Sequence, residues 1–495
     1  MIYIVRKSYV LLKKRFRTVK KKLERMHRFN SWMIGILFYL GTLLLVLRGM
    51  NLLVPLEENG LKIIGTAISV FIFLLIAFFY LYRFKSPLLK SPSKIFLLAL
   101  VVWGTLLTGY GIFSSRISDY SVPAVLAGIV LASFLQGQGA LICVVVLGGL
   151  LGLIANFRID IVLSFVVAGG VASLGVSFTH KRTDLLKVGI LAGVIGAVFI
   201  ASWGWLQEWA PEFLLIQSLW MMGSGVISAF LALGILPILE NLFGMLTDAK
   251  LFELSHLTNP LLINLREKAP GTYQSSLMVA NLAEAAAEKI HANPLLVRVG
   301  AYYHDIGKIK NPSYFVENDN INGKSKHERI NPPLSSLILI SHVKEGLQLA
   351  QKYRLPREIQ EMIKQHHGTT LTSFFYQKAR EKDHHNTLKE EDFRYPGPKP
   401  ESKEAAVLML ADTVEAASRT LENPSPARIR ALVEKLLRDK FMDRQLDESQ
   451  LTFKELLAIE ESFIQTLTGT FHTRIEYPAP EKGNGHKPKR KRKGD

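Results

Sequence analysis

Long apolar runs, repeated through the first half of the chain, constrain its fold more than any other feature. Eight qualify or come close: Trp32 to Leu53, Leu61 to Tyr82, Ile95 to Phe113, Val122 to Leu135, Ala140 to Ile154, Ile161 to Phe178, Val188 to Trp205 and Phe213 to Ile238. A helix crossing a bilayer needs about 20 mostly apolar residues, because hydrocarbon offers no partner to an unpaired backbone N–H or C=O. Uncharged runs of this length, repeated and flanked by charge, are not what the buried helices of a soluble protein look like. The N-terminal half therefore reads as a polytopic helical membrane domain. The fourth to sixth runs are short, and a re-entrant hairpin among them would reduce eight spans to seven; eight is adopted.

Charge orients this domain. The chain carries 60 Lys and Arg against 42 Asp and Glu, a net charge of +18, but the excess is not arranged as one groove. It collects before the first run, from Arg6 to Arg28, then at Arg83, Lys85, Lys90 and Lys94, at Lys181, Arg182 and Lys187, and in the tail Lys487 to Lys493. The alternate loops hold Glu57 and Glu58, Arg116 with Asp119, Arg158 with Asp160, and Glu208 with Glu212. Basic loops stay in the cytoplasm, so eight crossings put both the N-terminus and the C-terminal half there. The basic segments read as contacts for anionic lipid, and no nucleic-acid polymer is expected as a partner. Cys143, the single cysteine, lies in an apolar run, which leaves no disulfide within the chain. No acidic or basic residue falls clearly inside a span, which argues against transport. Gly148, Gly149, Gly152, Gly169 and Gly170 would let spans approach closely.

From Asp248 onward the composition is that of a soluble domain, and breakers and apolar spacing predict helices throughout. They fall at Ser275 to Ile290 after the breaker Pro270-Gly271, Leu295 to His304 with Gly307 ending the helix through left-handed geometry, Pro333 to Leu349, Pro356 to His367, Thr370 to Arg380, Glu401 to Leu421, Pro426 to Asp439 and Thr452 to Thr466. No alternating strand pattern is visible, so the expected class is all-α.

Within this half, His304-Asp305, His327, His342, His366-His367 and Asp412 form a candidate ligand set. Imidazoles and carboxylates suit first-row divalent cations, and these residues supply donors enough for two ions. His342 and Asp412 stand in apolar helices, where a buried carboxylate needs a partner. The plain alternative for each single histidine is a cap, a surface position or a core hydrogen bond, and it is strongest for His256, His291, His384, His385 and His472.

The run His304-Asp-Ile-Gly-Lys308 resembles the signature of the HD phosphohydrolase superfamily. More closely, Pro270-Gly-Thr-Tyr-Gln274, Gly300 to Lys308, Ser341-His-Val-Lys-Glu-Gly346, Gln365-His-His-Gly-Thr-Thr370, Phe393 to Pro400 and Met409 to Ala417 resemble the bacterial seven-transmembrane HD-domain family. Characterised members of that family are cyclic di-AMP phosphodiesterases. The resemblance implies a binuclear centre of Mn or Fe held by His304, Asp305, His342, His366, His367 and Asp412, with His327 a less secure addition. It implies cyclic di-AMP as substrate and pApA as product. Asp305 and Lys308 are the expected catalytic residues. Lys308, one turn from His304, is placed to face the substrate phosphate or the leaving oxygen, beside a plainer role as a cation at a helix C-terminus.

Two departures stand out. The family's Gly-Thr-Tyr-x-His-Ser motif appears as Gly271-Thr-Tyr-Gln-Ser-Ser276, so Ser275 replaces a histidine ligand and one ion should be held more weakly. Only Val54 to Gly60 separates the first two runs, where the family places a large extracellular sensor. The expected organisation is a basic cytoplasmic segment at 1–31, a membrane domain at 32–240, a linker and connecting helix at 241–269, an HD phosphohydrolase domain at 270–472 and a basic tail at 473–495. A multi-pass protein of the bacterial cell membrane follows, with a noncatalytic cyclic dinucleotide receptor or membrane scaffold as the alternative to hydrolysis. A homo-oligomer is left open.

Overall fold

The computed structural model describes residues 33–51, 60–83, 92–135, 137–179, 181–318, 326–381, 383, 388–422 and 424–470. The basic N-terminal segment, residues 52–59 between the first two runs, most of the basic loop after the second run, His384, His385, His472 and the tail lie outside these residues. Among the described residues every regular element is a helix, and one isolated antiparallel bridge joins Leu371 to Arg394. The described residues form two compact units: 33–259 with Arg354–Glu358, and 260–470 without that stretch.

In the first unit, α1 (Met33–Gly49) is followed by α2 (Gly60–Arg83), α3 (Pro92–Phe113), α4 (Ala124–Phe134), α5 (Gly137–Ile154), α6 (Ile159–Val176), α7 (Asp184–Leu206), α8 (Pro211–Phe243) and α9 (Asp248–Ser255). Five of these, α2, α3, α6, α7 and α8, are long and apolar enough to cross a membrane; α1 and the segments around α4 and α5 are shorter apolar helices. Leu, Ile and Phe side chains stay exposed along α2, α7 and α8, the pattern of a surface solvated by lipid rather than by water. Close helix contact falls where glycines stand. A Cβ on Gly152 would come within 2.4 Å of Val162, and one on Gly225 within 2.6 Å of the Gly193 Cα, so α7 and α8 meet backbone to backbone.

Helix α6 starts two residues earlier than its apolar run, which brings Asp160 inside the helix. There the buried carboxylate pairs with Arg158 at 2.6 Å and accepts from the Tyr120 hydroxyl at 2.5 Å. Helix α8 likewise runs past its apolar stretch and contains the buried Glu240. Both carboxylates lie just outside the expected apolar runs, and each is admitted because it has a cation and a hydroxyl as partners. For Glu240 these are Arg182 at 2.6 Å and Thr247 at 2.6 Å, and Arg182 also reaches Glu253 on α9.

The second unit contains α10 (Pro260–Lys268), α11 (Pro270–Lys289), α12 (Pro294–Tyr303), α13 (Pro332–Lys352), α14 (Arg357–Gln365), α15 (Ser373–Arg380), α16 (Lys403–Ser418), α17 (Pro426–Met442) and α18 (Phe453–Thr470). Pro270 is not a breaker ahead of α11 but its first residue, where a missing N–H costs nothing. Asn293, Asn331, Ser402 and Ser425 each accept from the N–H three residues on and so open α12, α13, α16 and α17. Helix α11, with Val279, Leu282, Ala283 and Ala286 fully enclosed, lies against α10, α12, α16 and α18. Alanine on its inner face lets those neighbours close in. The ends of α12 and α14 and the middles of α13 and α16 are brought to one place.

Candidate metal centre

His304 follows the last residue of α12 and still has helical geometry, so its Nδ1 lies 2.7 Å from the Ala301 carbonyl one turn back. His342, in the middle of α13, sits 2.5 Å from the Leu339 carbonyl in the same way, and His366, just past α14, 2.7 Å from the Ile363 carbonyl. A carbonyl only accepts, so each Nδ1 carries the hydrogen and each Nε2 of a neutral ring presents a lone pair. Those Nε2 atoms converge. His342 and His366 bring theirs to 3.3 Å of one another, and Asp305 Oδ1 lies 3.2 Å from the first and 3.6 Å from the second. Two facing lone pairs beside a carboxylate repel unless a cation lies among them.

The donors fall into two groups whose ligand atoms lie within 4.8 Å of one another: Asp305 with His342, His366 and His367, and His304 with Asp305 and Asp412. Asp305 is common to both. His304 Nε2 is 3.2 Å from Asp305 Oδ2 and 3.4 Å from Asp412 Oδ1, and His367 Nδ1 is 3.8 Å from Asp412 Oδ2. Although buried, His304 Nε2 and Asp305 Oδ1 have no hydrogen-bond partner of acceptable geometry. Buried polar atoms are nearly always paired, so two orphans within a nest of imidazoles and carboxylates fit a divalent cation. All six residues expected as ligands from the sequence are brought together here.

Electrostatics agrees. Loss of solvent and the charges of its neighbours, His366 and His342 foremost, hold His367 well below the ordinary histidine value, and burial lowers His366 as well. Both are thus kept as neutral donors. Burial would raise Asp305, but His304 and the Lys308 ammonium outweigh it and hold the carboxyl well below the usual range. His304 is the exception: burial lowers it, yet Asp305 and Asp412 win and push it up to about 10. A position that attracts a proton so strongly attracts a metal cation for the same reason.

The local geometry that places Asp305 depends on Gly307. This residue does not adopt the left-handed conformation expected of a helix-ending glycine; it lies in a short 3-10 turn, Ile306–Lys310, pressed against α13. A Cβ there would sit 1.9 Å from the His342 carbonyl oxygen. Glycine is needed for close approach, and that approach brings Asp305 to His342. Gly368, by contrast, has φ +52 and turns the chain directly after His367.

Not every expected site residue joins the cluster. Ser275 donates to Glu415 at 2.7 Å and belongs to neither donor group. His327 lies 2.7 Å by its Nε2 from the Tyr314 carbonyl, packs on Phe375 and is outside both groups among the described residues. Lys308 does not project freely. Its ammonium is 2.6 Å from Asp305 and 2.8 Å from Glu317, over the Phe315 ring. Glu317 is tied in turn to the Thr272 hydroxyl at 2.9 Å.

Several residues around the centre were not singled out from the sequence. Tyr395 stacks on His367 with ring centres 4.3 Å apart. Gln445, fully buried, accepts from the Thr369 N–H at 2.9 Å, and Asp443 receives Arg394, which also donates to the Thr369 carbonyl at 2.8 Å. Lys440 of α17 is buried and donates to Thr370 at 2.8 Å. Tyr395 and Arg394 lie in the Phe393 to Pro400 stretch, and Thr369 and Thr370 in the Gln365 to Thr370 motif, whereas Lys440, Asp443 and Gln445 lie in none of the quoted motifs.

The family model described as a 7TM receptor with intracellular HD hydrolase matches residues 61–247, and that of the HD domain matches 272–417. The chain carries, in this order, a segment matching the membrane part of that receptor–hydrolase family and an HD domain. The first match begins in α2 and ends past α8, and the second holds all six converging donors. Among similar proteins, the cyclic-di-AMP phosphodiesterase PgpH of Bacillus subtilis (strain 168) is 44% identical over 333 residues, 67% of this chain and 46% of that protein. The protein of the same name from Listeria monocytogenes serotype 1/2a (strain 10403S) is 34% identical over 426 residues, 83% of this chain and 58% of its own. The chain thus spans about half the length of these relatives. Crystal structures of the L. monocytogenes PgpH HD domain, alone and in complex with cyclic-di-AMP, are 46% identical and cover 43% and 44% of this chain and 100% of theirs, with a TM-score of 0.42.

Proposed function

We propose that this chain is a metal-dependent phosphodiesterase that hydrolyses cyclic di-AMP to pApA at the cytoplasmic face of a bacterial cell membrane. The observation that carries the reading is the convergence of His304, Asp305, His342, His366, His367 and Asp412 from separate helices into two donor groups sharing Asp305. The names of the relatives supply the substrate, which nothing in the donor geometry selects.

His342, His366 and His367 with Asp305 would hold one divalent ion, and His304, Asp305 and Asp412 the other, with Mn or Fe suited to this mixed set. Such a pair, when bound, supplies Lewis acidity toward the phosphoryl oxygens and makes water a competent nucleophile near neutral pH. The chain's own residues do the rest. Helix carbonyls fix the imidazole tautomers, Asp305 is kept ionised by Lys308, and Glu317 steadies that lysine. In the overall reaction one P–O3′ bond breaks, one bond from water oxygen to phosphorus forms, and the departing 3′ oxygen takes a proton. Lys308, bound to two carboxylates, acts in this reading by positioning Asp305.

The purified full chain, in detergent or nanodiscs with Mn²⁺ or Fe²⁺, is expected to convert cyclic di-AMP to pApA and to lose this activity to a chelator. Binding without turnover by a metal-loaded preparation would favour the second reading, a noncatalytic receptor. That reading draws its support from Ser275, which occupies a ligand position and is committed to Glu415.

A further inference from the structure

Lys440 lies on α17 with only 8% of its surface exposed. Its ammonium donates to the Thr370 hydroxyl at 2.8 Å and forms no ion pair among the described residues. The contrast with Lys308, which holds two carboxylates within 2.8 Å, is sharp. A buried cation without a counter-ion is a standing cost to the fold, and such groups persist where a ligand supplies the missing charge.

The surroundings point to where that ligand comes from. The Thr370 N–H donates to the His367 carbonyl at 3.0 Å, and its own carbonyl accepts from the Tyr395 N–H at 3.0 Å, so the hydroxyl is fixed three residues beyond a candidate ligand. Lys440 acts electrostatically on His367, and Asp412 and Asp443 act on Lys440, which places the ammonium in the field of the donor cluster. Asp443 is already engaged by Arg394 at 3.0 Å and by the Gln445 amide at 2.8 Å. Asp412 faces His304 and His367.

Resting on the phosphodiesterase reading, we propose that Lys440, held by Thr370, is the subsite for a non-bridging oxygen of the substrate phosphodiester. The phosphate brings the anion that the ammonium lacks, and a lysine serves such an oxygen as a compact point charge. The Thr370 hydroxyl, fixed at both backbone ends, sets the direction of the ammonium.

The test compares wild type, Lys440→Met and Thr370→Val in the full chain, with elemental analysis, thermal unfolding, cyclic di-AMP turnover and cyclic di-AMP calorimetry. For Lys440→Met the expectation is a KM and Kd raised at least about ten-fold, unchanged metal content, and an unfolding midpoint equal to or above wild type, since an unpaired buried charge is gone. Thr370→Val should raise KM several-fold. Should both variants keep wild-type KM and Kd, or should Lys440→Met lose its metal together with its affinity, the subsite is overturned. If Lys440→Met fails to fold, Thr370→Val decides alone. Wild type that binds but does not turn over sinks the phosphodiesterase reading while the calorimetric loss in Lys440→Met still upholds the subsite. Wild type that does neither overturns both.

Discussion

Ser275 on α11 donates a 2.7 Å hydrogen bond to Glu415, which stands three residues beyond Asp412 on α16 and so on the same helix face. Glu415 also receives Arg419 at 2.6 Å, and burial still leaves its pKa raised. The serine is thus committed to a carboxylate one turn from Asp412 and adds no donor to the His304–Asp305–Asp412 group. Replacing it with Ser275→His should increase the metal retained after dialysis, measured as ions per chain. The larger ring in a buried position should lower stability by about 1–3 kcal/mol in the metal-free protein. Unchanged metal content would show that position 275 does not reach the centre.

Lys308 neutralises Asp305 and Glu317 together, so Lys308→Met strands two carboxylates in a poorly solvated place. Breaking a buried pair by removing one partner costs about 3–5 kcal/mol. The loss should be smaller in Mn²⁺ than in chelator, because a cation at the centre takes over part of the neutralisation of Asp305. Thermal unfolding in both conditions reads this, and equal losses would mean that Lys308 acts on something other than the centre.

Gly307→Ala is expected to be among the most damaging single-methyl changes in the C-terminal unit. The new Cβ would lie 1.9 Å from the His342 carbonyl oxygen, so the 3-10 turn and α13 must separate. Overpacking of this kind costs about 1–3 kcal/mol or more. Because Asp305 and His342 move apart, metal content should fall as well, whereas a purely structural role would leave the folded fraction fully loaded.

Substrate affinity should depend on pH above neutrality. Burial lowers Lys440 to about 8, with Asp412 and Asp443 opposing, and His367 is held neutral beside it. A lowered lysine pKa means that the ammonium is present below that value and lost as pH rises through it. kcat/KM for cyclic di-AMP should therefore decline above about pH 8, and the break should be missing in Lys440→Met. A wild-type profile flat from pH 7 to about 9.5 would contradict this account.

In the first unit Arg182 joins Glu240 of α8 to Glu253 of α9. Arg182→Ala leaves Glu240 buried with only Thr247 as partner, at a cost of about 3 kcal/mol. Hydrogen exchange across residues 244–255 should accelerate, while α11 to α13 should be unaffected. Equal protection in the variant would show that the clasp contributes little.

Helices were legible wherever a boundary has local chemistry. Asn293, Asn331, Ser402 and Ser425 announce the starts of α12, α13, α16 and α17, and the sequence already carries the proline that follows Asn293, Asn331 or Ser425. The six donors were legible because their short motifs survive intact. Glycine 307 was misread because periodicity reports where a helix ends but not what presses on the next turn. Glu317, Lys440 and Gln445 escaped notice for a related reason: each owes its role to a residue between 9 and 76 positions away, and in isolation looks like one more polar side chain on a helix or turn.

The three carbonyl tethers on Ala301, Leu339 and Ile363 have an evolutionary corollary. The tautomer of each imidazole is dictated by main-chain oxygen, which no exchange of the tethering side chain can delete. A side-chain change at those three positions therefore leaves the tautomer intact so long as the coil of the helix persists, whereas an insertion or a proline one turn upstream would rotate a ring out of place. The orientation of these three rings is thus guarded by backbone shape rather than by the identity of the tethering side chains.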